Sequence, residues 1–259
     1  MRKHISFSEM KIWNECAFKH KLVYIDNIKK FVGNEHTAFG TAMHYVCERV
    51  LTDKKKQNYS SLFEEKFLEE LSLLKKSNVE LKKELINSMR GQGNNLIDFI
   101  FPAVKKYFDS FDVVSVEESL MEDLENTNLK FKGYVDLVLK TSDGKYHVID
   151  WKTCSWGWDT KRKNEKITNY QLALYKNFFA IKHGIDPKNI ETYFALLKRT
   201  AKSNKVEIFR TTSGSKKIQN SLKLLSKAVY NIENKNFIKN RLSCTSGFGC
   251  EFYKTKHCR

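Results

Sequence analysis

Asp136, Asp150 and Lys152 fall within one stretch, FKGYVDLVLKTSDGKYHVIDWK (residues 131–152), where two runs rich in Val, Leu, Ile and aromatics flank Thr141-Ser142-Asp143-Gly144. A turn-forming cluster between two β-prone runs predicts a hairpin. Asp136 and Asp150 lie symmetrically about Asp143. The turn therefore sets them opposite one another or one register step apart, with Cβ atoms about 5 Å apart if directly paired. Alternation along the strand places Lys152 on the same side as Asp150. Two carboxylates held close on a partly buried face repel until one takes up a proton or a cation arrives. A divalent metal meets that need: hard oxygen ligands suit Mg²⁺ or Mn²⁺, and a neighbouring amine can orient or deprotonate a water. The same residues also suit an amphipathic hairpin with its charges in solvent, so the rest of the chain must decide.

The elements that would position these groups are legible on either side. Ser6 is an N-cap with Glu9 at the capping-box position, ahead of the apolar run Met10, Trp13, Cys16, Ala17 and Leu22, which places Cys16 on a helix. A second helix follows the loop at 33–36, with Ala38, Ala42, Met43, Val46, Cys47 and Val50 as its apolar stripe. His44 lies at the edge of that stripe, and Cys47 on the stripe reads as core. Residues 52–110 are helical, rich in Lys and Glu, and broken at Gly91-Gln92-Gly93, as in an inserted helical subdomain or arch. Residues 112–120 form a strand that offers Glu117 or Glu118 to the hairpin's sheet.

After the hairpin, Trp156 and Trp158 precede the basic run Lys161, Arg162, Lys163. Aromatics interleaved with cations can stack on and hold single-stranded nucleic acid, or can pin a loop to the core. A helix ending at Gly184 then carries Gln171 and Tyr175 on one face at i and i+4. Two strands (189–199 and 205–210) and a last helix (215–233) complete the α/β pattern.

Forty-six Lys and Arg against 30 Asp and Glu give a net charge of +16, spread along the chain. That field favours polyanions, nucleic acid before anionic membrane. No apolar run approaches the roughly 18 residues of a membrane span, and the basic Met1-Arg2-Lys3-His4 leads into no apolar signal core, so a soluble, cytoplasmic protein is expected. Six cysteines then read as thiols or metal ligands rather than disulfides. Cys244, Cys250 and Cys258 lie in a loop-like tail and with Cys16 make four thiolates, the number needed by a [4Fe-4S] cluster or a structural zinc. The absence of C-x2-C pairs weighs against zinc, and free thiols are the third reading.

Gly40 to His44 as G-x-x-x-H, Gly133 to Asp136 as G-x-x-D, Asp150-Trp151-Lys152-Thr153 as D-x-K-T, and Gln171 to Tyr175 as Q-x-x-x-Y occur in that order. Together they resemble the RecB-like branch of the PD-(D/E)XK nucleases, and in particular its iron-sulfur members: AddB-type nuclease domains, CRISPR adaptation nucleases and phage exonuclease relatives. The chain departs from that family in having Ala17 where proline usually follows the first cysteine. Its last cysteines are spaced C-x5-C-x7-C rather than C-x2-C-x5-C.

The resemblance implies a restriction-endonuclease-like α/β core, a central mixed sheet flanked by helices, in a single domain over residues 1–259. The helical insertion would span 52–110, and the tail at 240–259 would close on the N-terminal helix through an iron-sulfur cluster on Cys16, Cys244, Cys250 and Cys258. His44, Asp136, Asp150 and the Trp151 backbone carbonyl would hold Mg²⁺ or Mn²⁺, and Lys152 would position the attacking water. Gln171 and Tyr175 would orient the lysine or the DNA backbone, and Glu117, or else Glu118, would be a supporting acid. The implied activity is metal-dependent hydrolysis of DNA, most simply exonucleolytic at DNA ends with single strands favoured, with a helicase, recombinase or integrase as a candidate partner. The competing expectations are a partner-dependent end-trimming subunit of the CRISPR-adaptation type and a non-catalytic nucleic-acid-binding iron-sulfur protein.

Overall fold

The structure, a computed structural model, describes residues 3–28, 31–247 and 249–259. Strand β1 (His4–Ser6) runs directly into α1 (Phe7–Glu15), where the Ser6 hydroxyl accepts the Glu9 N–H at 3.3 Å. Glu9 turns inward and pairs with the buried His20 at 2.6 Å. The helix expected to carry Cys16 stops one residue short of it. Cys16 is extended (φ −161°, ψ 114°) and separates α1 from α2 (Ala17–His20), which continues into a π-helical turn, Lys21–Ile25.

Helix α3 (Glu35–Thr52) is capped reciprocally. The Asn34 side chain accepts the Thr37 N–H at 3.1 Å, and the Thr37 hydroxyl accepts the Asn34 N–H at 2.9 Å. Then come α4 (Tyr59–Lys76), α5 (Lys83–Ile97) and α6 (Ile100–Phe108). Gly91-Gln92-Gly93 does not break the segment but lies inside α5, because Gly93 is where α5 meets α4: a Cβ there would stand 2.2 Å from the Phe63 ring. These helices do not stand off as an arch. Phe63, Phe67, Met89, Leu96 and Val104 share one core with Phe39 of α3 and with one face of the sheet.

The sheet contains β2 (Phe111–Asp123), β3 (Lys130–Thr141), β4 (Tyr146–Cys154), β5 (Ile190–Lys198) and β6 (Val206–Thr211). Its order is β1-β3-β4-β5-β6, with β2 antiparallel to β3 along the other edge. Short α7 (Thr160–Lys163) precedes α8 (Lys166–His183), which ends at Gly184 in the left-handed conformation (φ 62°); α9 (Ser215–Glu233) follows β6. Helices α1, α8 and α9 cover the second sheet face, packing Phe178, Phe179, Leu225 and Val229 against Phe131, Val138, Val148 and Phe194. The result is a mixed sheet between two helical layers, and among the described residues no helix is long and apolar enough to cross a membrane.

The tail beyond α9 docks on the first helices through its own contacts. Phe18 N–H donates to the Ile238 carbonyl (3.2 Å), the Asn240 side chain to the Glu15 carbonyl (2.9 Å), and Asn240 N–H to Cys16 Sγ (3.3 Å). Lys19 pairs with Glu251 at 3.2 Å, and Phe252 is fully buried.

Candidate metal centre

Hairpin register is the starting point. Leu137 pairs with Ile149 and Val138 with Val148, so Asp136 and Asp150 each lie one residue beyond the last ladder pair. The β3–β4 ladder ends there. On the same edge of β3, β1 pairs only with residues 130–132, so Asp136 sits in the fork between β1 and β4. Its carboxylate accepts the Trp151 N–H at 2.7 Å.

The other edge of β3 is distorted at the same level. Val116 faces Leu137 and Glu118 faces Val135, leaving Glu117 opposite Asp136 with φ at +46°. For a glutamate that conformation costs about 1–2 kcal/mol. Both strands reverse faces at this level: along β2 Val116 packs with α3–α6 and Leu120 with α1 and α8, and along β3 Phe131 and Val135 pack with α1 and α8 whereas Leu137 and Leu139 pack with α3–α6. Glu117 consequently opens toward α3, while Glu118 turns to the opposite side and is held by Lys182 (2.8 Å) and His183 of α8. Backbone geometry thereby sends the two acids to opposite sides of the sheet.

His44 projects from α3 into this fork, with Nδ1 3.5 Å from Asp136 Oδ2. One donor atom each from His44, Glu117 and Asp136 lies within 4.8 Å of the others. Asp150 stands outside this trio: its carboxylate is ion-paired with Lys152 at 2.5 Å and accepts the Gln171 side-chain N–H at 2.8 Å. The Gln171 amide also reaches the Tyr175 hydroxyl at 3.2 Å. Gly133 makes room for that tyrosine, since a Cβ there would lie 2.8 Å from its ring. The Trp151 carbonyl faces the His44 imidazole. A cleft of about 410 Å³, lined by Thr41, His44, Tyr45, Glu48, Lys66 and Glu117, opens the site to solvent.

The electrostatics suit a cation. Burial, and then the charge of Asp150, raise Asp136 well above the usual carboxylate range. Partial burial, Glu48 and Asp150 push Glu117 up as well. Burial lowers His44, which favours the neutral imidazole that can ligate a metal. Burial would also lower Lys152, but Asp150 and Asp136 together outweigh it and raise it, so its ammonium is retained. An oxygen-rich donor set with one imidazole fits a hard divalent ion such as Mg²⁺ or Mn²⁺.

A prediction follows for the metal-free protein. Asp136 and Glu117 bind protons more tightly folded than unfolded, so the stability they contribute is complete below the ordinary carboxylate range and is lost as pH rises through their raised folded values. Asp136→Asn should therefore melt a few degrees higher than the parent in EDTA at pH 7, with the gap closing toward about pH 4. Saturating Mn²⁺ should stabilise the parent by about 2.7 kcal/mol at 100-fold excess over Kd but leave the variant almost unmoved. Calorimetric melting across this pH range, with and without Mn²⁺, checks both signs.

Glu48, one helical turn beyond His44, went unnoticed in the sequence; the H-x-x-x-E spacing on α3 was the available signal. Of the residues expected to touch nucleic acid, Trp158 belongs to the core. It is 8% exposed, packs on Phe194 and Phe209, and is covered by the Arg162 guanidinium 4.9 Å from its ring. Lys163 is tied to Glu207. Trp156, 77% exposed, and Lys161 face solvent. Cys47 is fully buried, and Cys154 lies at the edge of the α8 core. Cys16, Cys244, Cys250 and Cys258 line one cavity of about 130 Å³, but among the described residues no three of their sulfurs lie within 4.8 Å of one another.

The sequence profile described as the PD-(D/E)XK nuclease superfamily matches residues 4–254. No curated protein sequence matches the chain. Among solved structures, a "Putative exonuclease" from Eubacterium rectale superposes with a TM-score of 0.60 at 13% identity, covering 94% of this chain and 86% of that one. That likeness concerns the fold. The crystal structure of SSO0001 covers 75% of this chain and 86% of that one at 15% identity, with a TM-score of 0.36 that carries no argument.

Proposed function

The chain belongs to the PD-(D/E)XK nuclease superfamily, and we propose that it is a divalent-metal-dependent exonuclease that hydrolyses DNA from its ends, with single strands favoured. The observation that carries this reading is the meeting of His44, Glu117 and Asp136 donor atoms within 4.8 Å, beside the Lys152–Asp150 pair. His44, Glu117 and Asp136 would hold the ion, with the Trp151 carbonyl and Asp150 close by. When bound there, a divalent cation supplies Lewis acidity toward a phosphoryl oxygen. Lys152 keeps its proton and directs an N–H toward the attacking water and the developing phosphoryl charge. Asp150 fixes the ammonium, and Gln171, braced by Tyr175, fixes Asp150.

Support for a DNA substrate comes from the +16 charge. Support for single strands comes from Trp156 just beyond β4, whose exposed ring is of the kind that stacks on bases. The exonuclease reading draws on the named activity of the Eubacterium rectale protein. The test is to incubate anaerobically purified protein and Mn²⁺ with end-labelled single- and double-stranded linear DNA and with closed circles. Linear single strands should be shortened fastest and circles left intact. Cleavage of circles would replace the exonuclease reading with an endonuclease, and no cleavage of any DNA would overturn the enzymatic one.

The finer proposal concerns the cysteine cavity. Ligand sulfurs of one zinc lie about 3.8 Å apart, given Zn–S bonds near 2.3 Å, whereas among the described residues no three of these sulfurs lie within 4.8 Å of one another. Thiolates around a four-iron cube stand farther apart. Lys19, Lys239, Arg241 and Lys254 line the same cavity and suit an anionic cluster, and the Asn240 N–H already points at Cys16 Sγ. Anaerobic protein should be brown with about four irons per chain. Cys250→Ala should bleach it, and Cys47→Ala and Cys154→Ala should keep the colour. Iron analysis and visible absorbance decide; colourless, iron-free protein from iron-replete cells would remove the cluster.

A further inference from the structure

We propose that the groove between α8, α9 and the β2–β3 turn is a docking site for a short, basic, amphipathic segment of a protein partner. The cavity there is about 430 Å³. Its floor is apolar and fixed: Phe178, Leu225 and Val229 are at most 5% exposed. Its lip is apolar and open: Ile181 is 59% and Tyr230 63% exposed. An apolar lip around an apolar floor is where a partner's side chains gain most from leaving water.

Charge selects the occupant. This chain carries 46 basic against 30 acidic residues, yet the groove is lined by Asp123, Glu125 and Glu233 and by no Lys or Arg. Lys130 offsets Asp123 at 3.0 Å, which leaves two carboxylates facing the groove. The Thr127 hydroxyl donates to Glu233 at 2.7 Å and ties the turn to the end of α9, so one end of the groove is built and not merely a gap. A phosphate backbone is repelled by this lining, whereas Lys or Arg flanking apolar residues is complemented by it. The groove lies on the helical layer opposite the one that carries His44, so an occupant leaves the metal-centre cleft open.

Three exposed positions permit a test that spares the fold and the cleavage machinery: Ile181→Asp, Tyr230→Asp and Glu125→Lys. A random dodecamer display library is panned against the full chain, and recovered peptides are measured by fluorescence anisotropy against the parent and each variant. Recovered peptides should combine Lys or Arg with Leu, Ile, Phe or Trp, and each substitution should weaken them about tenfold or more. Melting temperature and DNA cleavage should stay at parental values. Peptides that are acidic, or indifferent to all three substitutions, would overturn the proposal, as would recovery of none. A concentration-dependent dimer lost in Tyr230→Asp would overturn it in favour of a second copy of this chain.

Discussion

Lys152→Ala should lower metal-dependent DNA cleavage by about 10²–10⁴-fold, the range for losing one positioned proton-handling or charge-stabilising group. The expectation rests on geometry. Lys152 is paired with the buried Asp150 carboxylate at the centre, and Asp150 and Asp136 together keep it charged. Asp136→Ala acts at least as strongly because it removes both the His44 partner and the acceptor of the Trp151 N–H. Glu117→Gln belongs with these variants. Glu118→Gln does not, since Glu118 spends its carboxylate on Lys182 and His183 in the other layer. Single-turnover rates on end-labelled DNA, measured on variants with a cooperative melt, test the set. Near-parental cleavage by Lys152→Ala, or a Glu118→Gln loss matching Glu117→Gln, would undo the assignment.

The largest effect on stability is expected from Phe63→Ala, about 3–5 kcal/mol, or roughly 10 °C of melting temperature for a chain of this size. Phe63 is fully buried against Phe39 and Phe67, with ring centroids 5.6 Å away in both cases. Its partner Gly93 supplies a sharper test. Helix propensity alone favours Ala over Gly by about 1 kcal/mol, but a Cβ 2.2 Å from the Phe63 ring forces α4 and α5 apart at a cost of about 1–3 kcal/mol. Gly93→Ala should thus destabilise the parent and stabilise Phe63→Ala, a change of sign that denaturant melts can read. Additive effects of the two substitutions would show that the contact is not what fixes the glycine.

The hairpin and the end of α8 at Gly184 were legible because each depends on local chemistry, β-prone runs about a turn and a left-handed glycine closing a helix, while the hairpin register was legible only to within one step. The nearness of Asp136 and Asp150, one step beyond the last ladder pair, follows from the same local symmetry. Glu117 and Glu118 were not separable, because a strand's period of two presumes an unbroken pleat, and the left-handed Glu117 reverses it. Trp158 was ambiguous because its neighbours Phe194 and Phe209 come from strands far along the chain. Gly91 and Gly93 suggested a break, since a glycine demanded by a close helix contact and one demanded by a turn look alike in sequence. Cys16 was assigned to a helix by apolar spacing that continues across the extended residue.

The clasp between the first helices and the tail has a kinetic meaning. Asn240 reaches Cys16 and Glu15 across 224 and 225 positions of sequence, whereas the α3–α6 layer and the β3–β4 hairpin are built from near neighbours. Closing a loop costs entropy that grows with the logarithm of its length, and non-local pairings are rewarded only after that cost is met. Without a bound cluster, the clasp is therefore expected to form late and to open before the sheet does. Its amides, Phe18 and Asn240 among them, should exchange with solvent through an opening that leaves the sheet folded.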